Sequence, residues 1–175
     1  MPILSFTFDT MKSVCIIRHA KSSWEDQDLP DVIRPLNKRG KKTSGLVGRY
    51  LAQLHEKPDL IISSPATRAY HTAVNIAQIL GYRMKNIVID PTIYFEGEQG
   101  IINMLRRLDD KYDHIFIIGH EPTLSDVIET LSGETVPKFP TTAVFKINLD
   151  MTSWKDIYES KGKKAFFTIP KQIRE

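Results

Sequence analysis

The sequence predicts an α/β protein: a three-layer α/β/α sandwich around a mostly parallel central sheet, with no large cap domain. Three observations lead there. Four short, mainly apolar runs, Val14–Ile17, Asp59–Ile62, Ile87–Ile89 and Ile115–Ile118, have the pattern of strands covered on both faces. Stretches of helical periodicity separate them, and such alternation favours right-handed crossovers between parallel neighbours. No linker, repeat or lid-sized insertion interrupts the 175 residues, a length that suits one well-buried core and not two full domains.

Taken in order, Met1–Thr10 reads as an N-terminal extension to a domain spanning residues 11–175. Asp9 and the lack of a basic flank argue against a secretory signal there. The first strand holds Cys15, the one cysteine of the chain, which in apolar company reads as a core thiol and not a nucleophile. Ala20 to Leu36 has no periodicity and mixes charges with Trp24, Pro30 and Pro35; a long loop at a strand end is expected to wall a site. Asn37 then N-caps a helix whose apolar face is Leu46, Val47, Tyr50, Leu51 and Leu54. Pro65 stands near the start of the next helix, with Ala69, Ala73, Ile76, Ala77 and Leu80 on one stripe and Gly81 as its stop. A third helix carries Ile101, Met104, Leu105 and Leu108, and a fourth runs from near Pro122 to Gly133. Val144–Leu149 and, after a Lys/Gly turn, Ala165–Ile169 are two further strands, and the tail beyond Ile169 is expected to fray.

Composition removes several classes of function. No apolar stretch approaches the roughly 20 residues that span a bilayer. A net charge of +3 suits an anionic ligand but is a weak footprint for nucleic acid. The basic clusters Lys38-Arg39-Gly40-Lys41-Lys42 and Lys161-Gly162-Lys163-Lys164 lack interleaved aromatics, and read as a solvated helix start and a solvated turn. A lone cysteine allows no internal disulfide and fits a reducing interior, so cytoplasm is the expected compartment.

The chemistry collects at strand ends. Arg18-His19 follows the first apolar run, Gly119-His120 follows the fourth, and Arg68 comes shortly after the second. The carboxyl edge of an open α/β sheet is where ligands bind. Two histidines and two arginines at that edge suit a phosphoryl group, which needs an in-line nucleophile and cationic donors around its equatorial oxygens. Neutral imidazole is the competent nucleophile, and nearby guanidinium groups keep it unprotonated while no anion is bound. Arg18 and Arg68 thus serve twice, holding His19 neutral and then clamping oxygens in a bidentate fork; His120 donates a further hydrogen bond.

These residues also resemble a known family. Arg18-His19-Ala20-Lys21-Ser22 looks like the RHG/RHA signature of the histidine phosphatase superfamily, the phosphoglycerate-mutase-like fold. Ser63-Ser64-Pro65 with Thr67-Arg68-Ala69, and Ile118-Gly119-His120-Glu121-Pro122, are similar to its second-arginine and second-histidine segments. Arg34-Pro35-Leu36-Asn37-Lys38-Arg39-Gly40 and Phe139-Pro140-Thr141-Thr142-Ala143 look like the short SixA-type phosphohistidine phosphatases. The resemblance implies that His19 is transiently phosphorylated, with Arg18, Arg68 and His120 completing the catalytic pocket. Arg34 is either an extra phosphate contact or a pin for its loop. Ser22, near the place where many members carry a phosphate-binding asparagine, is a candidate contact too. For the general acid, Glu96 is the candidate, with Glu121 as an alternative; Glu98 reads better as a helix N-terminal residue.

The function so implied is a metal-independent phosphatase acting through a phosphohistidine intermediate, on protein phosphohistidine or small phosphomonoesters. No cofactor or metal is expected, and the partner is a phosphorylated protein or small phosphorylated substrate, with no nucleic acid and no membrane. The absence of a firmly placed acid favours phosphoramidates, because imidazole leaves as a stable neutral molecule while an alkoxide does not. The alternative is a catalytically weak phosphate-recognition module using the same pocket. A metallohydrolase is disfavoured because His55, His71 and His114 have no ligand spacing. A mutase is disfavoured because an uncapped site makes water the acceptor.

Overall fold

The computed structural model of the chain describes residues 11–174; the N-terminal extension expected at Met1–Thr10 lies outside them. Six strands form one sheet: β1 (Lys12–Arg18), β2 (Leu60–Ser63), β3 (Val88–Ile89), β4 (His114–Gly119), β5 (Val144–Leu149) and β6 (Gly162–Thr168), in the spatial order β3-β2-β4-β1-β5-β6. β3, β2, β4 and β1 are mutually parallel, while β5 and β6 add an antiparallel edge next to β1. Among the described residues there are five α-helices: α1 (Lys38–Gln53), α2 (Thr67–Leu80), α3 (Thr92–Phe95) and α4 (Gly97–Arg106) lie in the connections between parallel strands, and α5 (Thr123–Ser132) leads from β4 to β5.

Period-two alternation sends successive strand residues to opposite faces. Val14, Ile16, Leu60, Ile62, Ile115 and Ile117 pack with α4 and α5, whereas Cys15, Ile17, Ile61, Phe116 and Ile118 pack with α1 and α2. This is the expected three-layer sandwich. Cys15 is fully buried, and burial pushes its thiol well above the ordinary range, as expected of an inert core group. At the sheet edge away from the histidines, buried Lys12 donates to Asp113 and to the carbonyls of Asp110 and Tyr112. Among the described residues no helix is long and apolar enough to cross a membrane.

The local signals explain most boundaries. Asn37 caps α1 by accepting the Gly40 N–H at 2.8 Å. Gly81 and Gly133 end α2 and α5 in the left-handed conformation, at φ 70° and 71°. Several expectations need correction. The run Ile87–Ile89 reduces to a two-residue edge strand with Val88 and Ile89 exposed, because only β2 pairs with it. α3 has too few residues to show a period. Lys163 and Lys164, read as part of a turn, belong to β6, which pairs with β5 from Gly162 onward. Leu54, placed on the apolar face of α1, is exposed just beyond the helix end. The tail expected to fray is ordered over its described part: Pro170–Gln172 forms a 3-10 turn and Ile173 packs on the α1/α2 core.

Gly40 is the tightest point between α1 and the site. A Cβ there would lie 2.1 Å from the Lys21 carbonyl oxygen, two residues after His19. Gly40→Ala should therefore cost about 1–3 kcal/mol. Gly45→Ala, where the nearest atom would be 3.5 Å away, should gain about 0.5–1 kcal/mol from helix propensity. Urea unfolding of the two variants checks both signs.

Candidate active site

Strand register assembles the site. Arg18 pairs with Gly119 and Ser63 with Ile118, so β1, β4 and β2 end side by side. The ladder runs one residue further: the His19 N–H donates to the Gly119 carbonyl and the Ser64 N–H to that of Ile118, both at 3.0 Å. His19, His120 and Ser64 therefore emerge together, and the two imidazole centroids are 5.1 Å apart. Thr72 in α2 fixes the chain after His19, accepting the Ala20 N–H at 2.9 Å while donating to the Arg68 carbonyl at 2.7 Å. The second residue of α2, Arg68, is thereby brought over the histidines.

These groups line an open cavity of about 490 Å³. His19 is 7% exposed, and its Nδ1–H donates to the Ala20 carbonyl at 2.8 Å. A carbonyl only accepts, so the proton sits on Nδ1 and Nε2 keeps its lone pair. The Arg68 Nε–H points at that lone pair from 3.3 Å. The rest of the Arg68 guanidinium is held by Asp31, through the backbone oxygen at 2.7 Å and the carboxylate at 2.8 Å. A weaker contact of 3.4 Å reaches His120 Nδ1. The Tyr94 hydroxyl donates to the same Asp31 carboxylate at 2.8 Å, and its ring stands edge-on to His120. His120 Nε2 lies 2.7 Å from the Ser64 hydroxyl. Arg18 donates from one terminal nitrogen to the Phe139 carbonyl, while its buried Nε has no partner among the described residues. A buried donor left unpaired is costly unless a ligand accepts from it.

The electrostatics follow from burial among cations. Burial, assisted by Arg68 and Arg18 and opposed by the Ala20 hydrogen bond, pushes His19 from 6.5 to about 4. Burial, then His19 and Arg68, push His120 from 6.5 to about 3. Burial would raise the Asp31 carboxyl, but its hydrogen bonds with Arg68 and Tyr94 outweigh that and hold it below the usual range. Both imidazoles are thus neutral at pH 7, the state required of a nucleophile.

The expected constellation of Arg18, His19, Arg68 and His120 is brought together, and Ser22 lines the same cavity. Arg34 is not. It is 5% exposed and donates to the Asp26 and Gln27 carbonyls, with its guanidinium 4.0 Å from the Trp24 ring centroid, so it pins the loop. Glu96 is not either: it is exposed at the start of α4, folded against Gly100. Glu98 accepts from Thr130 at 2.6 Å and ties α4 to α5. Of the acidic alternatives, Glu121 lines the cavity, with both carboxylate oxygens accepting from Ser125. Asp31 and Tyr94 carry no signal in the sequence; Asp31 sits in the aperiodic loop and Tyr94 in the short α3. Among the described residues no group of three or more His, Cys, Asp or Glu could hold a metal ion.

Comparison with known proteins agrees with the fold. Residues 14–93 match the family model of the histidine phosphatase superfamily, branch 1. Fold and family match together make the chain similar to phosphohydrolases of the histidine phosphatase type. Within that class the similarity runs to the short SixA enzymes. Phosphohistidine phosphatase SixA of Escherichia coli is 26% identical over 140 residues, covering 78% of this chain and 85% of that one. A structure of the protein histidine phosphatase SixA complexed with tungstate superposes with a TM-score of 0.78 at 22% identity, over 93% of this chain and 99% of that one. A chloroplastic protein of Arabidopsis thaliana is 29% identical over 161 residues, 86% of this chain and 72% of that one.

The depressed histidines make a signed prediction. Between pH 6.5 and about 4 the unfolded chain takes up protons that folded His19 refuses, so stability should fall as pH drops through that window. NMR titration should show the His19 ring neutral down to pH 5, with a midpoint near 4. Added inorganic phosphate should move the His19 and His120 midpoints upward, because an anion offsets the arginines.

Proposed function

We propose that the protein is a metal-independent phosphatase that works through a phosphohistidine on His19, with protein phosphohistidine or small phosphomonoesters as substrates. One observation carries this reading: His19 Nε2 is an unprotonated lone pair aimed into a cationic cavity, its tautomer fixed by the Ala20 carbonyl. That a SixA of the same fold was obtained with tungstate, itself an oxyanion, supports an oxyanion as the ligand class.

In the proposed cycle the phosphoryl group takes over donors that Arg68 now directs at His19 and His120, and satisfies the unpaired Nε of Arg18. His19 Nε2 bonds to phosphorus as the bond to the leaving group breaks, with charge building on oxygens gripped by Arg18 and Arg68. Water then attacks the phosphohistidine, the N–P bond breaks, and inorganic phosphate departs with His19 regenerated. The Ser64 hydroxyl can either accept from or donate to His120 Nε2, so His120 can present Nδ1–H to the phosphoryl group without acquiring net charge. An imidazole leaving group needs little acid assistance. For esters, the proton donor is Glu121 in place of Glu96, because Glu121 is the candidate that reaches the cavity. The reducing compartment proposed for this activity is the cytoplasm, which the single buried cysteine supports.

His19→Ala should lower turnover of an aryl phosphate by at least about a thousandfold, and should abolish the acid-labile, base-stable phosphate formed on the protein during brief exposure to a phosphodonor. Unchanged hydrolysis in that variant overturns the mechanism. Glu121→Gln should slow alkyl phosphate hydrolysis by about 10- to 100-fold while leaving phosphohistidine hydrolysis within about twofold, read as kcat on the two substrates side by side.

A further inference from the structure

A second groove of about 320 Å³ adjoins the catalytic cavity, and Lys21 and Thr141 line both. Its floor is apolar, made by Phe167, Ile169 and Pro170. Arg39, Lys138 and Lys171 join Lys21 around it, and among the described residues no carboxylate lines it. All four cations are exposed, and none has an ion-pair partner among the described residues. Arg39 gains nothing from its own helix either: it stands in the first turn of α1, where the dipole disfavours a cation and no acid offsets it. A plain solvated helix start at Lys38–Lys42 would give no reason for this placement.

We propose that the groove is a substrate subsite that takes the acidic flank of a phosphorylated polypeptide. The proposal deepens the phosphatase reading and rests on it for the position of the phosphorylated residue. Carboxylates beside that residue would meet the cationic rim, while an apolar side chain lies on Phe167 and Ile169. A free anion would need the rim but not the floor, and an apolar ligand the reverse; an acidic peptide with one apolar residue uses both. A small phosphomonoester at His19 leaves the groove empty, whereas a chain passing along Thr141 fills cavity and groove together. The dividing wall also belongs to the segment whose Phe139 carbonyl holds Arg18. The rim charges act on bound and activated substrate alike, so the preference falls on KM and not on kcat.

The test compares three phosphohistidine peptides, with acidic-plus-leucine, neutral and basic flanks, on wild type and on Lys138→Glu/Lys171→Glu, with para-nitrophenyl phosphate as the reference substrate. Neither substituted residue lines the catalytic cavity. Wild type should prefer the acidic over the neutral flank by about tenfold, the effect of two or three exposed ion pairs, with the difference in KM and shrinking at high salt. The double variant should lose that preference while its reference rate stays within about twofold. Equal KM for all three peptides, or a preference that survives in the double variant, overturns the subsite. If no peptide is turned over while the reference substrate is, the phosphohistidine reading has failed and the groove is read separately, by fluorescence anisotropy of the unphosphorylated acidic peptide. Binding that the double variant abolishes then supports the subsite. Absence of binding, or displacement by an equal concentration of single-stranded RNA, counts against it.

Discussion

Arg18 opposite Gly119 and Ser63 opposite Ile118 is a statement about hydrogen-bond phase, and the site exists because that phase is kept. A slip of one residue in either ladder would send every strand side chain to the wrong face. It would also carry His19 or His120 away from the shared edge. The apolar cores on the two faces lock the register, since Val14 and Ile16 serve one layer while Cys15 and Ile17 serve the other. Burial of hydrocarbon thus sets the separation of two imidazoles that have no bond to each other.

On that frame the polar groups are arranged for an anion that balances them. Arg68 is positioned by Asp31, Asp31 is shared with Tyr94, and His120 is steadied by Ser64. Burial of the two imidazoles, with Arg68 and Arg18 adding to it, appears as the depressed proton affinity of both rings. In the proposed cycle an incoming phosphoryl group would relieve that crowding, supplying acceptors to arginine donors that are idle or weakly used. Thr142 shows where backbone strain is spent: a buried β-branched residue at φ 64°, it turns the chain so that its N–H meets the Arg18 carbonyl and its hydroxyl meets Thr43.

Much of this is written locally in the chain. Apolar runs ending in Arg18-His19 and Gly119-His120 betray both strand and site, because a short hydrophobic run that stops abruptly at polar groups is the pattern of a buried strand leaving its sheet. Asn37, Gly81 and Gly133 act through their own backbone neighbourhoods and are equally readable. Tertiary packing decides the remainder. Whether Arg34 faces a ligand or its own loop depends on how Trp24 folds over it. Whether Glu96 or Glu121 reaches the cavity depends on how the fold packs: Glu121 lines the cavity, while Glu96 stays exposed at the start of α4. Asp31 gains its role from Arg68, 37 residues later in the chain, and no local pattern announces such a pairing. Likewise the two basic clusters look alike in sequence, and it is packing that sets Arg39 of the first beside the groove next to the site.

The proton on His19 is held by a peptide carbonyl, that of Ala20, and not by a side chain. Enzymes that orient a catalytic imidazole with an aspartate can lose its tautomer through one amino-acid exchange. Here no codon change can delete the acceptor, because every residue at position 20 brings the same oxygen. The tautomer of His19 is therefore independent of the side chain at position 20 and rests on the backbone path that Thr72 and Gly40 keep.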